Sequence, residues 1–122
     1  MLLIILLILL DQVSKYFFST TINYGAAFSI LQGYTTLLII ISLIVLFACI
    51  YYYIKYKNKN IRLALSFLIS GIIGNLIDRI FLGYVRDFID LKIWPVFNLA
   101  DSFNVIGVGL LFYFTYKKDF KK

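Results

Sequence analysis

Residues 34–54 read YTTLLIIISLIVLFACIYYYI and contain no charged side chain. At about 1.5 Å of rise per residue, about 20 helical residues cross a hydrocarbon core of about 30 Å. Three further apolar runs of similar length occupy residues 2–20, 61–82 and 97–116. The sequence therefore predicts four transmembrane helices in a single integral-membrane domain covering residues 1–122.

The composition excludes an ordinary soluble domain. Hydrophobic residues make up 62% of the 122 residues and charged residues 15%, with a mean hydropathy of +0.93. A single soluble core of this size cannot enclose four such runs. None of the runs alternates like a strand of an outer-membrane barrel, and a spanning segment must satisfy its own backbone hydrogen bonds. We therefore predict an all-α membrane protein with small irregular outer loops.

The basic residues predict the orientation of the helices. Those of the central connection are Lys55, Lys57, Lys59 and Arg62, and those of the C-terminus are Lys117, Lys118, Lys121 and Lys122. The positive-inside rule makes both regions cytoplasmic, so both termini are cytoplasmic and residues 11–33 and 79–96 face outward. The net charge of +6 is explained by this pattern, and no nucleic-acid partner is expected.

Most acidic residues lie at the opposite face, at the outer ends of helices or in outer loops: Asp11, Asp78, Asp87, Asp90 and Asp101. Ionisable groups that border a membrane are costly, which makes each a functional candidate. Asp11 and Lys15 are spaced i,i+4 and can pair on one helix face. Such a pair either holds the first helix against its neighbours or lines a polar cavity.

The third apolar run combines small and polar residues at its outer end. Gly71 and Gly74 form a notch for close packing. Asn75, Asp78 and Arg79 follow on roughly one face. Sequence neighbours do not face each other on a helix, so Asp78 and Arg79 each need a partner elsewhere. Arg79 either extends to the membrane interface or anchors a site.

A turn of small residues precedes the second helix. It contains Asn23, Gly25, Ala26 and Ala27, whose small side chains allow another backbone to approach closely. Helix packing and substrate contact both explain this composition.

Two carboxylates are the remaining candidates for chemistry. Asp87 lies in the last outer loop, and Asp101 follows Asn98 at the start of the fourth helix. The chain has no histidine and no glutamate, so a Ser–His triad lacks its base and a His-rich zinc site lacks its ligands. Two carboxylates brought close together in a poorly hydrated site share a proton and can activate water and protonate an amide. Spacing alone leaves open that these aspartates never meet.

Five segments carry a resemblance to a known family. They read DQVSK at 11–15, NYGAAF at 23–28, GNLIDR at 74–79, VRDF at 85–88 and FNLAD at 97–101. Their content and order resemble the successive motifs of the lipoprotein signal peptidase family, signal peptidase II. Five motifs in order across four predicted spans form a specific pattern.

The resemblance implies an aspartyl endopeptidase of the bacterial cytoplasmic membrane. It would cleave prolipoproteins before a diacylglyceryl-modified cysteine at the outer face, with no metal, cofactor or covalent intermediate. Its partners would be those precursors and membrane lipid, and it would act as a monomer. Asp87 and Asp101 match the family's catalytic pair. The residues that match its supporting and substrate-binding positions are Asp11, Lys15, Asn23, Gly25, Asn75, Arg79 and Asn98.

The chain also departs from the family pattern. Only residues 16–22 separate Lys15 from Asn23, where family members usually carry a longer segment that forms a small β element. We expect this shortening to weaken the contact with substrate more than the chemistry. Two alternatives remain: a catalytically silent protein that binds lipoprotein precursors, and a small polytopic transporter. The uninterrupted apolar centres of the second to fourth helices count against transport.

Overall fold

The computed structural model describes residues 1–18, 20–26, 31 and 33–117. Ala27 of the small-residue turn and the lysines at 118, 121 and 122 of the predicted cytoplasmic C-terminus lie outside these described residues.

The described chain contains the four predicted helices and one pair of short strands. The helices are α1 (Leu2–Phe17), α2 (Thr35–Lys55), α3 (Lys59–Leu82) and α4 (Leu99–Tyr116). The strands are β1 (Thr21–Asn23) and β2 (Val85–Asp87). They pair antiparallel, with Thr21 opposite Asp87 and Asn23 opposite Val85. The prediction of purely irregular outer loops is therefore wrong at these residues.

The bounds of all four helices differ from the predicted ones by one to three residues, and the differences at the end of α1 and the start of α4 have a clear structural cause. The first was expected to reach residue 20, but α1 ends at Phe17 because Phe18 is extended, with φ −102° and ψ 148°, and leads into β1. The fourth was expected to begin at residue 97, but Phe97 pairs with Ile89 instead. Asn98 then caps α4. Among the described residues, α2, α3 and α4 are long and apolar enough to span a membrane, whereas α1 has 16 residues.

Local signals fix both ends of α3. The Asn58 side chain accepts hydrogen bonds from the backbone N–H groups of Asn60 and Ile61, as a helix N-cap does. At the other end Gly83 adopts φ +81°, a left-handed cap that glycine reaches without steric cost. Arg62 closes the connection from α2, because its Nε donates to the carbonyls of Tyr53 and Tyr56.

Helix α3 is the central element, packed against α1, α2 and α4. Its apolar residues Ile61, Leu65 and Ile69 are buried and meet Ile4 of α1 and Leu46 of α2 in the main core. The outward faces of α2 and α4 carry large exposed apolar side chains. Exposed apolar area on this scale indicates a membrane-embedded protein.

The outer end of α3 is packed through its glycines, as the sequence predicted. A Cβ on Gly74 would lie 2.5 Å from Asp11 Oδ2 and 3.1 Å from Ala100 Cβ. A Cβ on Gly71 would collide with the Asn104 side chain and the Ala100 carbonyl. These close approaches bring α1 and α4 against α3 where the polar residues are concentrated.

Candidate active site

Asp87 ends β2 and is buried beneath the strand pair. Its Oδ2 accepts a hydrogen bond of 3.0 Å from Asn23 Nδ2 of β1, and its Oδ1 accepts one of 2.8 Å from Asn98 Nδ2. Burial raises the pKa of the Asp87 carboxyl to about 7, and the negative charge of Asp101 adds to the rise. A carboxyl with this pKa can hold or release a proton near neutral pH.

Asp101 lies in the first turn of α4, where its position is set by a capping box. The Asn98 side chain accepts from the Asp101 N–H at 2.9 Å, and Asp101 Oδ2 accepts from the Asn98 N–H at 3.3 Å. Its Oδ1 accepts a further bond of 3.0 Å from Asn75 Nδ2. The cap that starts α4 therefore also directs this carboxylate toward α3.

Three asparagines surround the two carboxylates, and each has its amide orientation set by its own neighbours. The Gly25 N–H donates to Asn23 Oδ1 at 2.8 Å, which leaves Nδ2 to face Asp87. The Asp101 N–H holds Asn98 Oδ1 in the same way. All three amides thus present N–H groups to the carboxylate pair.

Lys15 sets the orientation of the third amide, that of Asn75. Its Nζ lies 3.3 Å from Asn75 Oδ1, and Asn98 Nδ2 donates to the same oxygen at 3.0 Å. With two donors on its oxygen, Asn75 must turn its nitrogen toward Asp101. The first helix therefore contributes to the site through one buried lysine.

An ion quartet of Asp11, Lys15, Asp78 and Arg86 adjoins the pair. Lys15 Nζ lies 2.7 Å from Asp11 Oδ2 and 3.1 Å from Asp78 Oδ2. Arg86 Nη2 lies 2.9 Å from Asp78 Oδ1. Asp11 Oδ1 also accepts from the Ala100 N–H at 2.9 Å, at the start of α4. The quartet is formally neutral and joins α1, α3, β2 and α4, which favours a structural role for the Asp11–Lys15 pair.

Two members of this network were missed as site residues by the sequence analysis. Arg86 binds Asp78, and its Nη2 donates to Gln12 Oε1 at 2.8 Å. Gln12 Nε2 in turn donates to the Gly74 carbonyl at 3.0 Å. Both residues stood inside quoted motifs, DQVSK and VRDF. The predicted need of Asp78 for a distant partner was the signal that could have found Arg86.

Arg79 is buried and turns toward the segment after β1. Its Nη2 donates to the Gly25 carbonyl at 3.2 Å. This contact confirms that Arg79 has a partner elsewhere in the chain and favours its anchoring role over extension to the interface. Asp90, by contrast, is paired with Lys92 at 3.3 Å in an exposed loop, away from the cluster.

A cleft of about 350 Å³ opens beside Asp101. Its walls come from the loop before α4 and from the first turns of α4, and they consist of Leu91, Trp94, Phe97, Ser102, Val105 and Ile106. A mostly apolar cleft with a few polar groups, here Asp101 and Ser102, is typical of a substrate site. Within the described residues, no group of His, Cys, Asp or Glu side chains is suited to hold a metal ion.

An apolar helix bundle that holds two buried carboxylates, with Asp101 beside an apolar cleft, is the arrangement expected of the class of membrane-embedded aspartic peptidases. Comparison with known proteins identifies the family within this class. The family model for signal peptidase (SPase) II matches residues 3–117. The chain therefore belongs to the signal peptidase II family.

Individual relatives support this assignment. A lipoprotein signal peptidase of Halothermothrix orenii is 48% identical over 98 residues, covering 80% of this chain and 68% of that protein. One of Clostridium novyi is 43% identical over 109 residues, covering 82% and 74%. A solved structure of a bacterial membrane enzyme matches with a TM-score of 0.85 and 36% identity, covering 99% of this chain and 92% of the other.

Proposed function

We propose that this chain removes signal peptides from prolipoproteins, and that Asp87 and Asp101 are its acid–base pair. The observation that carries the proposal is the placement of two buried carboxylates from different elements, each held by asparagine N–H donors. Family membership supports the reaction and leaves the transporter alternative without support. The substrate, as the resemblance implies, is a precursor whose cysteine carries diacylglycerol.

The reaction needs one proton shared between the two carboxyls. The ionised carboxylate takes a proton from a water molecule, and the resulting hydroxide forms a bond to the scissile carbonyl carbon. The protonated carboxyl hydrogen-bonds to the carbonyl oxygen as negative charge develops there. A proton is then returned to the leaving nitrogen as the C–N bond breaks, which releases the signal peptide and the new amino terminus.

Asp87 releases its proton at a higher pH than an ordinary carboxyl does, so the pair can hold one shared proton near neutral pH. Its pKa of about 7 reflects burial and the charge of Asp101. Asp101 accepts from the Asn98 N–H in the first helical turn, where the helix dipole favours a negative charge. The two groups are coupled, so the pair titrates as a unit and kinetics would report values that belong to both.

In this proposal all four helices cross the membrane and both termini are cytoplasmic. The 16 residues of α1 span the bilayer because its neighbours and the flanking aromatic residues absorb the mismatch. The acid–base pair then lies at the outer face of the bacterial cytoplasmic membrane. We further propose that the protein acts as a monomer.

Cleavage of a purified lipidated prolipoprotein by the purified protein in detergent tests the proposal. We expect release of the signal peptide from the lipidated precursor and much slower release from the same precursor without lipid. Binding of the lipidated precursor without any cleavage would instead establish the alternative, a catalytically silent precursor binder.

A further inference from the structure

Arg86 immediately precedes Asp87 in β2, and its backbone is held on both sides. Its N–H donates to Asp78 Oδ2 at 3.0 Å, and its carbonyl accepts from Asn98 Nδ2 at 3.2 Å. The same Asn98 nitrogen donates to Asp87 Oδ1 at 2.8 Å. The backbone that leads into Asp87 is therefore fixed between α3 and the cap of α4, and its position sets where the Asp87 carboxyl lies.

The Arg86 side chain returns to the carboxylate that holds its own backbone. Its Nη2 lies 2.9 Å from Asp78 Oδ1 and its Nε 3.3 Å from Asp78 Oδ2, so the planar guanidinium contacts both oxygens. This two-point contact fixes the plane of the carboxylate, whereas the Lys15 ammonium, 3.1 Å from Oδ2, acts as a point charge. Asp78 Oδ2 is thereby kept where it receives the Arg86 N–H.

Gln12 depends on the same guanidinium. Its Nε2 also donates to Asp78 Oδ1, at 3.2 Å. The amide is turned this way because Arg86 Nη2 donates to Gln12 Oε1 at 2.8 Å. Loss of the Arg86 side chain would therefore release both the Asp78 carboxylate and one of its remaining donors.

Arg86 also balances charge beside the acid–base pair. Its side chain is 22% exposed, whereas those of Asp11, Lys15 and Asp78 are fully buried. Without the arginine, two buried carboxylates would share one lysine, and the negative charge left over would make proton loss from the pair less favourable. The other charged side chains presented toward Asp87 are Lys15 of α1, Asp78 and Arg79 of α3, and Asp101 of α4.

We propose that Arg86 is a positioning residue of the acid–base pair. Its guanidinium holds the Asp78 carboxylate, which fixes the backbone that carries Asp87, and its positive charge offsets the neighbouring buried carboxylates. Arg86 acts through Asp78 and contacts neither substrate nor water in the reaction. This role rests on the proposed function, since it concerns the placement of Asp87 for that reaction.

Two substitutions separate the geometric role from the charge. Arg86→Met removes both the planar contact and the charge, whereas Arg86→Lys keeps the charge and loses the two-point contact. We expect Arg86→Met to lower kcat about 10–100-fold and to change KM for the lipidated precursor less than about two-fold, because misplacement of Asp87 affects the reaction and not the binding of precursor. Arg86→Lys should restore only part of the lost kcat.

The pH dependence of kcat/KM reports the charge. The pair is active while it holds one proton, so activity falls on both sides of a maximum. Removal of a positive charge raises the pH at which each proton is lost, so both limbs should move to higher pH by about 0.5–1 unit in Arg86→Met. Arg86→Lys should keep the limbs of the unaltered protein. A loss of stability alone would move neither limb.

Arg62→Met is the matched control. Arg62 is also partly exposed, and its Nε donates to the carbonyls of Tyr53 and Tyr56 at the opposite end of α3. This variant should lower the amount of folded protein without changing kcat per folded molecule or the pH limbs.

The outcomes separate this role from the proposed function. Arg86→Met with the kcat per folded molecule and the pH limbs of the unaltered protein would overturn the role of Arg86. If that variant does not fold, an unchanged kcat in Arg86→Lys would overturn it. Absence of cleavage by the unaltered protein would reject the proposed function, and this role with it.

Discussion

The two buried carboxylates depend on residues that turn N–H groups toward them. Asn23, Asn75 and Asn98 each use the amide nitrogen on a carboxylate, while a backbone N–H or Lys15 holds the amide oxygen. Asparagine suits this task because one side chain carries both an acceptor to be fixed and a donor to be aimed. Such pre-arranged donors stabilise negative charge without reorganising during the reaction.

Asp87→Asn should change the pH dependence of stability. The pKa of Asp87 is about 7 in the folded protein against an ordinary value of 3.8. Between these values the folded protein holds a proton that the unfolded chain releases, so the free energy of unfolding falls as pH rises toward 7. Asparagine does not titrate, so Asp87→Asn should lack this decline in the free energy of unfolding. We therefore expect the free energy of unfolding of the variant, minus that of the unaltered protein, to be larger at pH 8 than at pH 5.

Thermal unfolding in detergent at the two pH values measures this difference. Asp90→Asn is the control, since the Asp90 side chain is exposed and the Lys92 N–H lowers its pKa, which keeps its titration outside this pH window. A stability difference between Asp87→Asn and the unaltered protein that is the same at pH 5 and pH 8 would contradict the raised pKa.

The sequence named the two carboxylates and the three asparagines that contact them, but it did not name Arg86 and Gln12, which contact the neighbouring Asp78. Asp87 and Asp101 stood in recognisable motifs, and elimination of histidine and glutamate chemistry left few alternatives. Arg86 and Gln12 were missed because their contact joins positions 74 residues apart in the chain. Only the packing of α1 beside β2 makes them neighbours, and spacing along one element cannot report such a contact.

At the scale of elements, glycines set how closely α3 and α4 approach. A Cβ on Gly107 would lie 2.7 Å from Leu68 Cγ and from the Leu68 backbone nitrogen, whereas a Cβ on Gly109 meets nothing within 4 Å. Gly107→Ala should therefore destabilise the protein by about 1–3 kcal/mol through overpacking. Gly109→Ala on the same helix should be neutral or stabilise by up to about 1 kcal/mol through helix propensity.

Equilibrium unfolding of both variants in mixed detergent micelles measures the two effects. Neither glycine belongs to the proposed site, so folded molecules of either variant should cleave normally. Equal stabilities for the two variants would contradict the close α3–α4 packing at Gly107.

The helices were predictable and the strands were not. Apolar runs of the right length predict helices because lipid forces each segment to satisfy its backbone internally. Each strand has three residues, and what holds them is their mutual pairing together with the stacking of Phe18 on Phe88, with ring centroids 5.1 Å apart. Such short strands depend on tertiary context more than on propensity. The shortened segment after α1 thus still supplies one strand, β1, which pairs with the strand that carries Asp87.

At the scale of the whole molecule, the proposed orientation places the basic connection and the active site on opposite faces. Single cysteines at Asn58 and Gly83, in a background lacking Cys49, test it in intact cells. A membrane-impermeant thiol reagent should label position 83 and spare position 58, because only the outer face is accessible. The reverse pattern would show that the orientation is inverted.

The most direct test of the acid–base pair compares cleavage of a lipidated precursor by Asp87→Asn, Asp101→Asn, the double variant and Asp90→Asn. Each single substitution at the pair should lower kcat at least about 10²–10⁴-fold, because general acid–base catalysis is lost. The double variant should be scarcely worse, since residues acting as one unit are not additive. Asp90→Asn should keep most activity. With membrane insertion verified for all four, near-normal cleavage by either single variant of the pair would contradict the aspartyl mechanism.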